Sequence, residues 1–153
     1  MCGRYALFRW SAEFRALPGF PLEQQPCWNL LPGARALILR GQDTEQRVDL
    51  ARWGLTPAWL TDLSRTPAHA RLETIDKQPL FREAFRQRRC LLPANGFFEW
   101  RGVRKRPYWP SVAEPMLYFA GVWEAYPVGD IEYLSKGTVT REAGPQRRRS
   151  VSG

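Results

Sequence analysis

Short apolar runs separated by polar turns dominate the chain and predict strands. Residues 36–39 form a continuous apolar run, residues 47–53 alternate between apolar and polar positions, and the polar segment GQDTE lies between them. This arrangement predicts a β-hairpin. Further strands are predicted at residues 90–92, 97–100, 108–112, 117–123 and 131–140. We therefore expect an α+β fold, a mostly antiparallel and partly closed barrel-like sheet with short flanking helices.

Two segments carry signals for short helices. Ser11 is suited to cap a helix that runs to Leu17 and is ended by Pro18 and Gly19. Pro79 is placed at the first turn of a second helix, in which apolar residues recur at helical spacing. No repeat and no linker divides the chain, so we expect one folded domain.

The segment GFFEW contains a carboxylate in an apolar setting. Alternation along a strand would place Phe97 and Glu99 on one face and Phe98 and Trp100 on the other. If Glu99 shares an apolar face, partial desolvation would raise its pKa toward values useful for proton transfer. The alternative is an exposed glutamate on an edge strand.

The charge of the chain points to a polyanionic partner. The net charge is +8 and the sequence pI is about 10.0, and most of the positive charge is arginine, which binds phosphate through a planar fork. Trp53, Trp59, Trp100 and Trp109 each lie within a few residues of an arginine, as in proteins that stack the bases of single strands. A solvated arginine surface and tryptophans in the core are the alternative interpretation.

The cysteines and the N-terminus exclude several classes of protein. Three cysteines, Cys2, Cys27 and Cys90, accompany a single histidine with no CxxC spacing, which argues against a disulfide framework, a zinc site or another metal. The first residues, MCGRYALFRW, contain neither a signal peptide nor a membrane span. We expect a cytoplasmic monomer that needs no cofactor and binds no membrane.

Cys2 has chemistry of its own if Met1 is removed. Its α-amine and thiol would then form a 1,2-aminothiol, and both groups have ordinary pKa values close enough to neutrality for a usable nucleophilic fraction. The amine of such a pair condenses with an aldehyde to an imine, and the thiolate closes a five-membered thiazolidine ring. An ordinary thiol at position 2 is the alternative.

Six motifs in order give the chain a family resemblance. CGRY, WNLLPG, WGLTPAW, HARLET, LLPANGFFEW and FAGVWE together resemble the SRAP family, the SOS-response-associated peptidase domains, from Cys2 to about Thr140. The resemblance implies the SRAP fold and binding of single-stranded DNA. It also implies a stable thiazolidine link between the N-terminal cysteine and the open-ring aldehyde of an abasic site, formed in the DNA damage response.

The resemblance assigns roles to individual residues. Cys2 matches the nucleophile, and Glu99 matches the acidic residue that moves protons during ring opening and imine formation. Arg4 and Arg71 match arginines that hold phosphates beside the lesion. The remaining DNA-binding candidates are Trp59, an aromatic near the DNA, Asn29, beside the site, and Gly3, which allows close backbone approach; for Trp59 and Asn29, core packing or turn capping is the alternative.

The chain departs from the family pattern at two places. His69 stands where the motif has an asparagine that hydrogen-bonds the nucleophile's amine, so His69 is a catalytic candidate that either keeps that geometry, makes it pH-sensitive or impairs it. The family's later His-Asp-Arg-x-Pro motif has no match, and the chain ends in PQRRRSVSG. We expect an SRAP domain over residues 1–144, incomplete at its C-terminal end by truncation or a change of frame, followed by a basic, disordered tail over residues 145–153.

Three functions remain open from the sequence. The first is trapping of abasic sites in single-stranded DNA through Cys2. The second is binding of single-stranded DNA without chemistry. The third is a cysteine peptidase acting on its own N-terminus, for which no Cys-His pair stands in an evident catalytic context.

Overall fold

The structure, a computed structural model, describes residues 3–101, 106–111 and 116–142 of the 153-residue chain. Met1, Cys2 and residues 143–153, which include the tail predicted over residues 145–153, lie outside this range. The elements in chain order are β1 (Tyr5–Leu7), α1 (Ala12–Arg15), β2 (Cys27–Leu30), β3 (Arg35–Gln42), β4 (Glu45–Trp53), β5 (His69–Arg71), α2 (Arg82–Gln87), β6 (Arg89–Ala94), β7 (Gly96–Phe97), β8 (Glu99–Arg101), β9 (Arg106–Tyr108), β10 (Leu117–Val128) and β11 (Ile131–Thr140).

Five strands close into a barrel, which confirms the predicted fold class. The strand order is β10-β6-β3-β4-β11, and β10 also pairs with β11 to complete the ring. Every pairing in the ring is antiparallel except that of β4 with β11. The short strand β5 is added outside the ring, parallel to β11.

A smaller sheet lies against the barrel and contains the N-terminal strand. Its order is β2-β1-β7, with β1 in the centre and all three residues of β1 buried. Tyr5 and Leu7 belong to the same hydrophobic core as Leu37, Val48 and Trp53 of the barrel. The strand that follows the predicted nucleophile is therefore fixed by core packing.

The first helix follows its sequence signal closely. The Ser11 hydroxyl accepts a hydrogen bond from the Phe14 main-chain N–H at 3.1 Å, which satisfies one of the free N–H groups of the first turn. The helix ends at Arg15, earlier than predicted, and Gly19 adopts a positive φ of 80° in the turn that follows. A side chain at Gly19 would collide with the Val48 carbonyl, so this turn needs glycine.

The second helix begins later than predicted. It spans Arg82–Gln87, and Pro79 lies in the preceding turn, where the Phe81 and Arg82 N–H groups both donate to the Gln78 carbonyl. The predicted apolar face is present: Phe81 and Ala84 are buried, with Leu80 and Phe85 packed against the same cluster.

The predicted strand through GFFEW is interrupted. Gly96–Phe97 belongs to the small sheet and Glu99–Arg101 pairs with β9, so the chain leaves one sheet at Phe98 and enters another. The change follows from two main-chain bonds in different directions: the Phe97 N–H donates to the Pro110 carbonyl and the Phe98 N–H to the Arg4 carbonyl.

No helix among the described residues is long and apolar enough to cross a membrane.

Candidate functional site

The predicted nucleophile, Cys2, lies outside the described residues. Gly3 is the first candidate residue that the structure describes. Gly3 is half-buried, and a Cβ placed on it would meet no atom within 4 Å. The space beside the backbone is therefore open at this point. Gly3 needs no unusual backbone conformation, so its predicted part in close approach to DNA stays a prediction.

Arg4 and Glu99 are brought together by the small sheet. The Phe98 N–H donates to the Arg4 carbonyl at 2.9 Å, and Glu99 follows directly as the first residue of β8. Both side chains are half-buried. The Arg4 guanidinium lies 5.4 Å from the centroid of the Trp100 ring, a cation–π contact that holds it near the surface. Glu99, a half-buried carboxylate, therefore lies one residue from a main-chain hydrogen bond to the residue that precedes β1.

His69 and Arg71 share one face of β5. Because side chains alternate along a strand, Ala70 points the other way and is buried, while His69 is half-buried and Arg71 is exposed. The His69 ring packs edge-on against Trp53 at 5.6 Å, and Trp53 packs against Tyr5 at 5.2 Å. Three rings in contact therefore link His69 to the N-terminal strand.

Asn29 and Trp59 are exposed. Asn29 lies on β2, next to Leu30, which pairs with Tyr5. Trp59 lies in a turn closed by the Leu60 N–H and the Pro57 carbonyl, and 59% of its surface is exposed. Neither side chain makes a hydrogen bond or a ring contact with another described residue. The structure therefore excludes core packing as the reason for Trp59, and its predicted contact with DNA stays a prediction.

Sequence reasoning missed a buried cation behind the site. Lys136 on β11 is fully buried, its Nζ donates to the Tyr5 hydroxyl at 3.0 Å, and it lies 4.0 Å from the centroid of the Trp53 ring. A lysine at an inward position of a predicted strand was the available signal. The ammonium group connects the same two rings that join β1 to His69.

A buried asparagine was also missed. Asn95, only 2% exposed, accepts hydrogen bonds on Oδ1 from the Phe8 and Arg9 N–H groups and donates from Nδ2 to the Arg9 carbonyl. Its own N–H donates to the Ala6 carbonyl. The asparagine lies within the LLPANGFFEW motif, and it fixes the chain where it leaves β1.

The two described cysteines stand in different surroundings. Cys90 is buried against Ile38, Ala51 and Leu92, and this burial raises the pKa of its thiol from 9.0 to about 12. Cys27 on β2 is half-buried. A thiol with so high a pKa is protonated at neutral pH, so Cys90 is unsuited to act as a nucleophile.

An open cavity of about 790 Å³ lies away from these residues. It is bounded by the β3–β4 and β10–β11 hairpins and by the segment after β4, with Arg35, Arg52, Tyr126 and Tyr133 among its lining residues. Of the predicted site residues that the structure describes, none lines this cavity.

Comparison with known proteins agrees with the six sequence motifs. The family model described as SOS response associated peptidase (SRAP) matches residues 1–149. Among curated relatives, the abasic site processing protein YoaM of Bacillus subtilis is 30% identical over 139 residues, which is 82% of this chain and 60% of YoaM. The abasic site processing protein YedK of Escherichia coli is 29% identical over 119 residues, 71% of this chain and 52% of YedK. The chain thus spans about 60% of the length of the first of these relatives.

Solved structures share the fold. A protein from Bacteroides thetaiotaomicron is 25% identical, with a TM-score of 0.79 over 92% of this chain and 68% of its own. A phage-related protein from Bordetella bronchiseptica is 27% identical, with a TM-score of 0.70 over 92% of this chain and 69% of its own. The barrel and its small sheet are therefore an architecture found in other solved proteins.

Proposed function

Because the chain belongs to the SRAP family, we propose that it binds single-stranded DNA and traps abasic sites there as a thiazolidine formed by Cys2. The observation that carries the proposal is the main-chain hydrogen bond that joins Arg4, two residues after Cys2 in the sequence, to Phe98, the neighbour of Glu99. The relatives YoaM and YedK are named as abasic site processing proteins, which supports the same substrate.

The reaction begins with the α-amine that removal of Met1 exposes. The amine nitrogen attacks the aldehyde carbon of the open sugar, and the resulting carbinolamine loses one water to give an imine. The Cys2 sulfur then adds to the imine carbon, and its proton passes to the nitrogen as the ring closes. One water is released overall, and no oxidant or reductant is needed.

Side chains near the start of β1 would assist these steps. Glu99 would accept the ammonium proton and return it to the departing water, a role that suits a half-buried carboxylate. Arg4 and Arg71 would hold phosphates on either side of the lesion. His69 would hydrogen-bond the Cys2 amine in place of the family asparagine, and Gly3 and Asn29 would line the approach of the DNA.

The test is incubation of the Met1-processed chain with a single strand that contains one abasic site. We expect a heat-stable conjugate whose mass equals protein plus DNA minus one water. Cys2→Ser should abolish it, whereas Cys90→Ser, at a buried thiol, should leave its yield unchanged. Glu99→Gln should slow formation by about 10²- to 10⁴-fold. A retained Met1, or an equal yield from Cys2→Ser, would contradict the proposal.

Binding of single-stranded DNA without chemistry is the second candidate. It is favoured by the exposed Trp59 and Trp100 rings and by the net charge of +8, because charge and stacking suffice to hold a single strand. Salt-sensitive binding with no conjugate at any pH would identify this function. A peptidase that uses Cys90 is disfavoured by the burial and high pKa of that thiol.

A further inference from the structure

A stacked pair of aromatic rings, one half-buried and one exposed, has none of the roles assigned above. Phe8, directly after β1, and Trp28, on β2, stack with ring centroids 3.6 Å apart and an interplanar angle of 13°. Trp28 is nevertheless 62% exposed. Since one face of its indole is covered by Phe8, the exposed area belongs to the other face and the edges of the ring.

This stacked pair is held in place by the core. Asn95 binds the Phe8 N–H at 2.7 Å, the Arg9 N–H at 3.0 Å and the Arg9 carbonyl at 3.1 Å. Trp28 lies on β2 between Cys27, which pairs with Leu7, and Leu30, which pairs with Tyr5, and its ring is stacked on Phe8. The flat indole face is therefore presented to solvent in one orientation, and binding a second ring there would require little further ordering.

Positive charge accompanies these rings along β1. The guanidinium of the exposed Arg9 lies 5.7 Å from the centroid of the Phe8 ring. The guanidinium of Arg4 lies 5.4 Å from the centroid of the Trp100 ring. Arg4 and Phe8 are four residues apart, a span of at most about 14 Å along an extended strand. About four stacked nucleotides cover that length at roughly 3.4 Å each. A ligand that offers both flat apolar faces and regularly spaced negative charge fits this arrangement.

We propose that the Phe8–Trp28 stack is a base-stacking platform for one nucleotide of the single strand. This nucleotide lies within a few positions of the abasic nucleotide that is held at the start of β1. The proposal rests on the proposed function for the class of its ligand, single-stranded DNA. Arg9 contacts the phosphate beside that nucleotide, and the exposed face of Trp28 receives its base. Stacking of this kind tolerates any base, because every base has a π-face.

The first measurement is the affinity for an undamaged 12-nucleotide single strand, by fluorescence anisotropy. Trp28→Ala should weaken binding by about 5- to 150-fold, whereas Trp28→Tyr, which keeps a flat ring, should stay within about threefold of the parent. Leu22→Ala is the matched control, since Leu22 is an exposed apolar side chain, 90% exposed, that belongs to no ring pair. Trp28→Leu keeps apolar area without a ring and should bind like Trp28→Ala.

The second measurement locates the platform relative to the lesion. Conjugate formation is followed with two shortened abasic strands. One strand keeps a single nucleotide on the 5′ side of the abasic site, and the other keeps a single nucleotide on its 3′ side. The Trp28→Ala defect should vanish with one of these two truncations and persist with the other, because only one removes the base that stacks on Trp28. Melting temperatures of the variants within about 2 °C of the parent would show that the fold is kept.

The outcomes separate the platform from the chemistry. If the parent forms no conjugate, the proposed function fails, while binding of the undamaged strand still tests the platform. If Trp28→Ala binds like the parent, or if its defect is the same with every strand length, the platform proposal is wrong even where the conjugate forms normally.

Discussion

Two groups of aromatic residues in this protein use the same kinds of side chain differently. The inner group is Tyr5 and Trp53, both buried, with the Lys136 ammonium between their rings. The outer group is Trp28, Trp59 and Trp100, each between 43% and 62% exposed. Inside, a cation is enclosed by rings and the Tyr5 hydroxyl; outside, Arg4 lies over Trp100 in contact with solvent.

A tryptophan close to an arginine or lysine can therefore have either of two roles, one in core stability and the other in ligand binding. Burying a charge is costly unless other groups replace its hydration, so the inner group must be closely packed and contributes to stability. The outer rings have faces in water that a ligand can cover, so they are available for binding. Changes to the two groups should therefore alter different measured quantities.

Replacing the inner tryptophan should have the largest effect. Trp53→Ala removes a fully buried ring that contacts Tyr5 and His69 and whose Nε1 donates to the Ala68 carbonyl at 2.9 Å. We expect the free energy of unfolding to fall by about 3–5 kcal/mol, measured by urea titration. A loss below about 1 kcal/mol would show that the inner group is not a packed core.

Titration of the Cys90 thiol should have a second, slightly smaller effect on the free energy of unfolding. Because burial raises the pKa of Cys90 from 9.0 to about 12, the unfolded chain loses this proton first as the pH rises. The unfolded state then binds fewer protons than the folded state, so Cys90 lowers stability progressively between pH 9 and 12, by up to about 4 kcal/mol. Urea titrations at several pH values should show this loss in the parent and not in Cys90→Ala.

Thiol alkylation at pH 8 provides the control for that prediction. Cys27, half-buried on the strand that carries Trp28, should react in the folded protein, whereas Cys90 should react only after urea is added. Mass spectrometry of peptides separates the two sites. Equal rates at Cys27 and Cys90 in the folded protein would contradict the assignment of Cys90 to the core.

Replacing an outer ring should have the smallest effect on stability. Trp59→Ala should change the free energy of unfolding by no more than about 0.5 kcal/mol, because the ring makes no ring contact with any other residue in the described part of the chain. If Trp59 contacts DNA, affinity for a single strand should fall by about 1–3 kcal/mol. A large loss of stability with unchanged binding would place Trp59 with the inner group.

Much of the fold could be predicted because its signals are local. The β3–β4 hairpin, the Ser11 cap and the strand over residues 131–140 each depend on neighbouring residues in the chain. The short strands β2 and β5 could not, because their hydrogen bonds go to β1 and β11, far away in sequence. The break at Phe98 likewise depends on a distant acceptor, the Arg4 carbonyl.

The residues of the candidate site could be predicted from the sequence, whereas the buried residues that hold its strands in place could not. The motifs name Arg4, Glu99 and His69. The structure bonds Phe98, the neighbour of Glu99, to the Arg4 carbonyl and joins His69 to Tyr5 through Trp53. The buried Lys136 and Asn95 support these strands, yet Lys136 belongs to no motif and Asn95 lies inside LLPANGFFEW without an assigned role. Polar residues are usually exposed, so only the folded chain shows that these two are buried.

The parallel pairing of β5 with β11 has a consequence for synthesis of the protein. His69 pairs with Thr138, and Arg71 with Thr140. The strand that carries the proposed partner of the Cys2 amine and one proposed DNA contact therefore gains its partner strand only after residue 140 has left the ribosome. If Met1 is removed during synthesis, Cys2 would already be the leading residue by then. The proposed nucleophile would thus be present on the growing polypeptide before the residues proposed to position it on damaged DNA have assembled.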